Sequence, residues 1–292
     1  MPAPTRQQRL IHRAFLHRQA QHERRYARGF LSVLAKQYRE AAEAYPSPYV
    51  VNPNDYRAPL IALYTTVLPQ EAKVAWDMYV RPLAGDRKDF FDDLMSIIGV
   101  NVPEGEFIRL WRDVSREWLS INILTKINNI AQTTQRAIAK VVESAINDGS
   151  SIEQISREIR QQSQGEVNRH RSVVIARTET ISAMNKGRRL SMHTSNLLWN
   201  KKWIDSPDER TRLSHRLIAQ EDYRPLDNEY WLVTREGSLE PADCPGDPRL
   251  SAGNIINCRC TEVYEVQRDA AGRPRRRSDS PVTVNEALEV IS

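Results

Sequence analysis

Apolar positions recur every three or four residues over roughly the first two thirds of the chain, which predicts a mostly helical protein up to about residue 196. Tyr26, Phe30, Leu34 and Tyr38, with Leu31 and Ala41 beside them, predict one long helix over 5–44. Tyr45-Pro46-Ser47-Pro48 and Asn52-Pro53-Asn54-Asp55 break it and read as a hinge. The stretch 56–83 is helical in pattern but contains Pro59 and Pro69, so two helices are expected there. A short amphipathic helix is expected over 86–98, with Phe90, Phe91, Leu94 and Ile97 on its apolar side. From Pro103, Phe107, Trp111, Val114, Trp118, Ile127, Ile130 and Ile138 hold one face of a long helix, and core packing is the reading for its aromatics. Asn147-Asp148-Gly149 reads as a C-terminal stop, and Ser150 with Glu153 as a capping box for the next helix, which carries Ile152, Ile155 and Ile159. A further helix is expected over 166–193.

The period changes near Leu197. Trp199, Trp203, Tyr230-Trp231-Leu232-Val233 and Val263-Tyr264 mark short strands, separated by Pro207, Pro225, Pro241, Pro245 and Pro248. The fold class is therefore α+β: an extended, mostly helical N-terminal half followed by a small α+β module. The expected divisions are a basic helical arm over 1–44, a helical body over 45–149, the module over 150–266, and a basic flexible tail over 267–292.

Charge sharpens this picture. The 292 residues carry a net charge of +5, yet residues 1–28 alone carry +6, from Arg6, Arg9, Arg13, Arg18, Arg24, Arg25 and Arg28 against Glu23. The tail adds Arg268, Arg273, Arg275, Arg276 and Arg277 against Asp269 and Asp279. A solvated helical face and a surface for phosphate or an acidic partner both fit the N-terminal run, where arginine without lysine suits bidentate pairing, and Arg275, Arg276 and Arg277 of the tail are candidates for the same nucleic-acid or acidic-partner contact. No run approaches the 18 or so apolar residues of a membrane span, and the N-terminus lacks the apolar core of a signal peptide, so an intracellular protein is expected. No Gly-rich phosphate loop occurs, which excludes a nucleotide-driven motor.

Three clusters carry the chemistry: Ala176-Arg177-Thr178-Glu179 on a helix, Asp208-Glu209-Arg210-Thr211-Arg212 with His215 after a strand containing Trp203, and the turn Pro245-Gly246-Asp247-Pro248 followed by Asn257-Cys258-Arg259-Cys260. Arg177 and Glu179 are too close in sequence to share a helix face, whereas residues two apart on a strand do share one, so the two thiols should point the same way. In this order the clusters resemble the phage Mu F-like minor head proteins, the phage head-morphogenesis family, over about residues 150–266. The resemblance implies a capsid-associated protein, present in several copies near the portal, acting in head assembly or travelling with the DNA. Implied partners are the portal or major capsid protein and packaged DNA, with no membrane during assembly; the implied location is the virion, and the host cytoplasm while heads are built. A free-standing nucleic-acid-binding or nucleolytic, toxin-like protein is the alternative.

His215, Cys258 and Cys260 invite zinc, with Cys244 as a conceivable fourth ligand. The Cys-x-Cys spacing is not that of a common zinc knuckle, so packed or hydrogen-bonded thiols are the favoured reading and no cofactor is assigned. A nuclease site built from Asp208, Arg210, Arg212 and His215 lacks a complete catalytic set, and Glu262 and Glu265 are wrongly spaced for ADP-ribosyl transfer, so no enzyme is expected. Instead the module should be held by polar ties: Asp205 or Asp208 with Arg210 or Arg212, Asn257 with backbone ahead of Cys258, and His215 near both thiols. The resemblance also marks Arg177, Thr178, Glu179, Trp203, Asp208, Arg210, Thr211, Arg212, Asn257 and Arg259 as the residues of the family motif.

Overall fold

The computed structural model describes residues 4–84, 104–163, 165–206 and 208–277. The helix expected over 86–98 and the tail beyond residue 277 lie outside the described residues.

Helix α1 (Arg6–Ala44) starts at a capping box in which the Gln8 N–H donates to Thr5 Oγ1 while Gln8 Oε1 accepts from the Thr5 N–H. Its buried stripe of Phe15, Tyr26, Phe30, Leu34 and Tyr38 follows the spacing seen in the sequence and also includes His12 and Gln19. The stripe lies against the helices described below, so α1 is a packed element of the body rather than a separate arm. Helix α2 (Arg57–Ala75) runs unbroken through Pro69, and the expected division into two helices is not there. Pro59 falls in the first turn, where a missing N–H costs nothing. Pro69 costs its helix about 3 kcal/mol, but Leu60, Leu63, Tyr64, Val67, Leu68 and Ala72 are all buried, each large apolar side chain contributing about 1.5–3 kcal/mol. Tertiary burial wins. The chain then widens into a π-helical turn at Trp76–Val80 before tightening into a 3₁₀ turn at Arg81–Ala84.

Helix α3 (Glu104–Asn147) is the long helix expected, with Phe107, Trp111, Val114 and Trp118 buried. It stops where Gly149 adopts φ 73° and the Ser150 N–H reaches back to the Ala145 carbonyl. Helix α4 (Ile152–Gln162) is capped one residue later than expected, by Ser151 and Gln154, because Ser151 takes the extended conformation that a cap needs. Helix α5 (Glu166–Thr194) is the centre of the molecule. Every residue from Thr178 to Thr194 is buried, between α2, α1 and the sheet. Helices α2 and α5 approach so closely at Gly187 that a Cβ there would lie 2.2 Å from the Leu68 carbonyl oxygen.

Strand β1 (Trp199–Ile204) is central to an antiparallel sheet, flanked by β2 (Arg224–Pro225) and β5 (Thr261–Val266), with Trp199 opposite Val266 and Ile204 opposite Thr261. Between them come α6 (Leu213–Ala219), the hairpin of β3 (Tyr230–Val233) and β4 (Leu239–Ala242), and the one-turn α7 (Ala252–Ile255). The α+β class stands.

Two expectations about organisation do not. One continuous core joins Phe15 to Val266, so arm, body and module share their buried surface instead of forming separate units. Residues 267–277, expected to be flexible, turn back onto β1: the Leu198 N–H donates to the Arg275 carbonyl and the Arg277 N–H to that of Asn196, each at 2.9 Å. The arginine side chains made that segment read as solvated, whereas its backbone is what docks.

Candidate functional site

The helix α5 cluster and the 257–260 loop meet. One residue advances a helix by about 100°, so Arg177 and Glu179 point in different directions. Arg177 donates to both carboxylate oxygens of Glu23 on α1, at 2.8 and 2.9 Å, and its third donor reaches Asn257 Oδ1 at 3.1 Å. Thr178 Oγ1 accepts the Asn257 N–H at 3.2 Å. Asn257 sits at φ 60°, a conformation asparagine tolerates better than most residues, and this turns the loop toward the sheet. The side chain of Asn257 therefore bonds to Arg177, and not to backbone ahead of Cys258 as expected. Glu179 faces the interior, where Lys126 Nζ and the Tyr64 hydroxyl each donate to Oε2 at 2.8 Å. Burial, with the Glu179 charge alongside, pushes the Tyr64 hydroxyl well above its ordinary pKa.

Beyond Asn257, Cys258 and Cys260 both turn toward His215 on α6. His215 Nδ1 lies 3.4 Å from Cys260 Sγ and 3.7 Å from Cys258 Sγ, and the three ligand-type atoms are within 4.8 Å of one another. All three side chains are buried, and the imidazole stands edge-on to Trp203, which stands edge-on to Tyr230. The Cys260 N–H donates to Cys258 Sγ at 3.4 Å. A hydrogen bond from the Cys260 side chain, with that N–H and the Arg212 charge, makes Cys258 the more acidic thiol, while burial pushes Cys260 up. The thiols do face one way, although β5 begins only at Thr261. Cys244 is buried elsewhere and does not join them; burial raises its pKa to about 12.

The 206–212 turn is wired differently from the expectation. Asp208 pairs with Arg259, not with Arg210 or Arg212. Burial would raise its carboxyl, but the Arg259 guanidinium and the Arg210 N–H hold it below the usual carboxylate range. Arg212 donates to the Ile256 carbonyl, and Thr211 Oγ1 to that of Ser206. Asp205 is drawn into none of these pairs; burial raises its carboxyl against the pull of His12, Arg216 and His215. The sequence placed acids and bases side by side in this turn, but adjacent residues on a tight turn diverge, and the arginine that reaches Asp208 comes from the cysteine loop.

Asn185, His12 and Arg188, which lie outside the sequence clusters, help hold the site together with Gly246 and Asp247 of the turn that the sequence did single out. Asn185 on α5 donates to the Pro245 carbonyl at 3.0 Å and to that of Cys260 at 3.1 Å, and accepts from Thr261 Oγ1 at 2.8 Å, clamping the turn to the loop. His12, from the other end of the chain, places Nε2 3.1 Å from the Arg259 carbonyl. Gly246 has φ 81°, and a Cβ there would lie 3.0 Å from the Ser182 nitrogen, so this turn requires glycine. Asp247 accepts the N–H groups of Asp243 and Arg249 at 2.8 and 3.0 Å; although burial raises it, Lys186 and Arg249 hold its carboxyl far below the usual range. Arg188 is fully buried, beside the Phe15, Tyr79 and Tyr264 rings, and donates to the Glu262 carbonyl at 3.0 Å. A hydropathy pattern reads Asn185, Lys186, Arg188 and Arg189 as exposed; only the spacing of Asn185 eight residues after Arg177 puts it near the same face.

The basic residues divide. Arg6, Arg9, Arg13, Arg24, Arg25 and Arg28 are exposed, whereas Arg18 forms a bidentate pair with Glu71 at 2.6 and 3.0 Å. In the tail, Arg277 engages Asp227 and His193, and Arg275 donates to Gln267 Oε1 at 3.3 Å. Arg276 is exposed and pairs across with Leu197 through its backbone. A groove of about 690 Å³ opens beside the α5 cluster, lined by Ile130, Val174, Ile175, Leu250, Ile255 and Arg136 among others. No helix among the described residues is long and apolar enough to cross a membrane.

Residues 136–263 match the family described as Phage Mu protein F like protein. A protein of Bacillus subtilis (strain 168), uncharacterized protein YqbB, is 29% identical over 131 residues, which are 44% of this chain and 40% of that protein. The chain thus spans less than half of that relative's length. No solved structure matches significantly.

Proposed function

We propose that this chain, whose C-terminal part over residues 136–263 belongs to the Phage Mu protein F like family, is a minor head protein that acts in phage head assembly beside the portal. The observation that carries this reading is how the cluster residues are used. Arg177, Thr178, Glu179, Asp208, Arg212, Asn257 and Arg259 all bond to other parts of the same chain, and His215 is 1% exposed. Such groups are spent on holding a shape, and a shape held by specific ties suits an assembly protein that presents fixed surfaces to head partners. A nuclease would need its acid, base and phosphate-binding groups open to substrate. These ties support a structural role.

The exposed arginines of α1 give that shape a polyanion-facing side. Arg6, Arg9, Arg13, Arg24 and Arg28 fall within a sector of about 100° on the face away from the core, along roughly 33 Å of helix. In this reading they contact packaged DNA. The test is mass spectrometry and cryo-electron microscopy of purified heads from the virus that encodes the chain. The expected result is the protein at a few copies per head, next to the portal, and failed or empty heads when its gene is deleted. Normal, infectious particles lacking it would overturn the proposal.

A further inference from the structure

We propose that His215, Cys258 and Cys260 form a zinc site that staples helix α6 to the 257–260 loop. Zinc binds sulfur at about 2.3 Å and imidazole nitrogen at about 2.0–2.1 Å. At a tetrahedral angle those bond lengths separate a nitrogen from a sulfur ligand by about 3.5 Å. The observed separations from Nδ1 are 3.4 and 3.7 Å, on either side of that value. The hydrogen bond between the two thiols accounts for their pairing but not for Nδ1 facing both sulfurs. A single Nδ1 carries either one hydrogen or one lone pair, so it can serve one of the two sulfurs facing it, not both. A cation at the centre satisfies all three atoms at once. Two thiolates and an imidazole are the soft to borderline donors that select zinc over calcium or magnesium.

The surroundings hold the cysteine loop in place for a metal, although His215 Nε2 is buried without a hydrogen-bond partner among the described residues. The Cys260 N–H donates to Cys258 Sγ, a bond that stabilises a metal-bound thiolate. The loop is fixed from outside by His12 at the Arg259 carbonyl, Arg212 at the Ile256 carbonyl and Asn185 at the Cys260 carbonyl. Among the described residues His12 is committed to that contact and Cys244 lies away from the cluster, so His215, Cys258 and Cys260 are the three side chains assembled to bind, which leaves the fourth position to a small ligand such as water. Three protein ligands plus water is also the count of hydrolytic zinc sites. Here, however, His215, Cys258 and Cys260 are 1–2% exposed, which denies access to a substrate. The metal is a cross-link between elements 43–45 residues apart. This inference stands apart from the head-assembly reading, since a staple of this kind serves any function of the fold.

The experiment uses the full chain, purified under reducing conditions without chelator and reconstituted with zinc or cobalt(II). Expected are about one metal ion per chain and, with cobalt, a thiolate-to-metal charge-transfer band together with the visible bands of tetrahedral cobalt. Cys260→Ser and His215→Ala should weaken metal binding by more than about tenfold in competition with a chromophoric chelator, and Cys244→Ser should leave it unchanged. Substoichiometric uptake by the wild-type chain, or a cobalt spectrum without sulfur charge transfer, would overturn the proposal. So would full metal binding by the His215→Ala, Cys260→Ser double variant. If the variants do not fold, the wild-type cobalt spectrum decides alone.

Discussion

Replacing Glu179 by leucine tests whether the α5 cluster is structural. Glu179 and Lys126 face each other at 2.8 Å with side chains only 9% and 6% exposed, so neither charge has water to fall back on. The ammonium also sits 5.1 Å from the centre of the Tyr64 ring and 5.6 Å from that of Trp118, which cushions it but cannot replace a carboxylate. Removing one member of a buried pair costs about 3–5 kcal/mol, because the survivor is left charged in a low-dielectric site. That is a large part of the 5–15 kcal/mol that ordinarily separates folded from unfolded protein. Replacing both partners removes the stranded charge, so Lys126→Met with Glu179→Leu should recover most of the loss. What remains is the Tyr64 hydroxyl, whose acceptor is gone, at about 1–3 kcal/mol; adding Tyr64→Phe should return part of that. The assay is urea denaturation of the full chain and of the single, double and triple variants, with the transition slope checked for constancy. The reasoning fails if Glu179→Leu costs less than about 1 kcal/mol, or if the double variant loses the sum of the two singles.

Other outcomes follow from the same structure. Gly187→Ala should destabilise by about 1–3 kcal/mol or more, because its Cβ would meet the Leu68 carbonyl oxygen at 2.2 Å, whereas Gly105→Ala, with nothing within 4 Å, should not destabilise; thermal melting reads both. His12 and His193 are held below their ordinary pKa, chiefly by burial, so the unfolded chain binds more protons just below pH 6.5 and stability should fall as the pH drops through that range. His193→Gln should flatten that pH profile, and an unchanged profile would contradict the assignment. Changing Arg6, Arg9, Arg13, Arg24 and Arg28 together to Gln should reduce the salt slope of DNA binding by up to about 4–5, at roughly 0.9 for each phosphate no longer neutralised; an unchanged slope would show that α1 does not touch DNA. A fragment of residues 150–266 should fail to fold on its own, as judged by circular dichroism and proteolysis, since it leaves behind Glu23, Tyr64 and Lys126 and uncovers the face of α5 that α2 covers.

Local order was written in the sequence. The periodicity of Tyr26 to Tyr38 and of Phe107 to Trp118 specified α1 and α3, Gly149 specified a stop, and the apolar clusters at Trp199, Tyr230 and Val263 specified strands. These signals are local because they rest on the repeat of one helix or strand and on backbone freedom at single residues. The ordered clusters from Arg177 to Cys260 also named the parts of the site and brought His215 to both thiols. Tertiary structure alone decided their partners. Arg177 found Glu23, Glu179 found Lys126 and Tyr64, Asp208 found Arg259, and His12 reached the cysteine loop across 247 residues. It also decided that Pro69 stays inside a helix and that the polar stretch Thr178–Thr194 is core. The physical reason is the same in each case. A polar side chain reads as solvated until the fold brings a counter-charge or a carbonyl within about 3 Å, and what arrives there depends on how distant segments pack together.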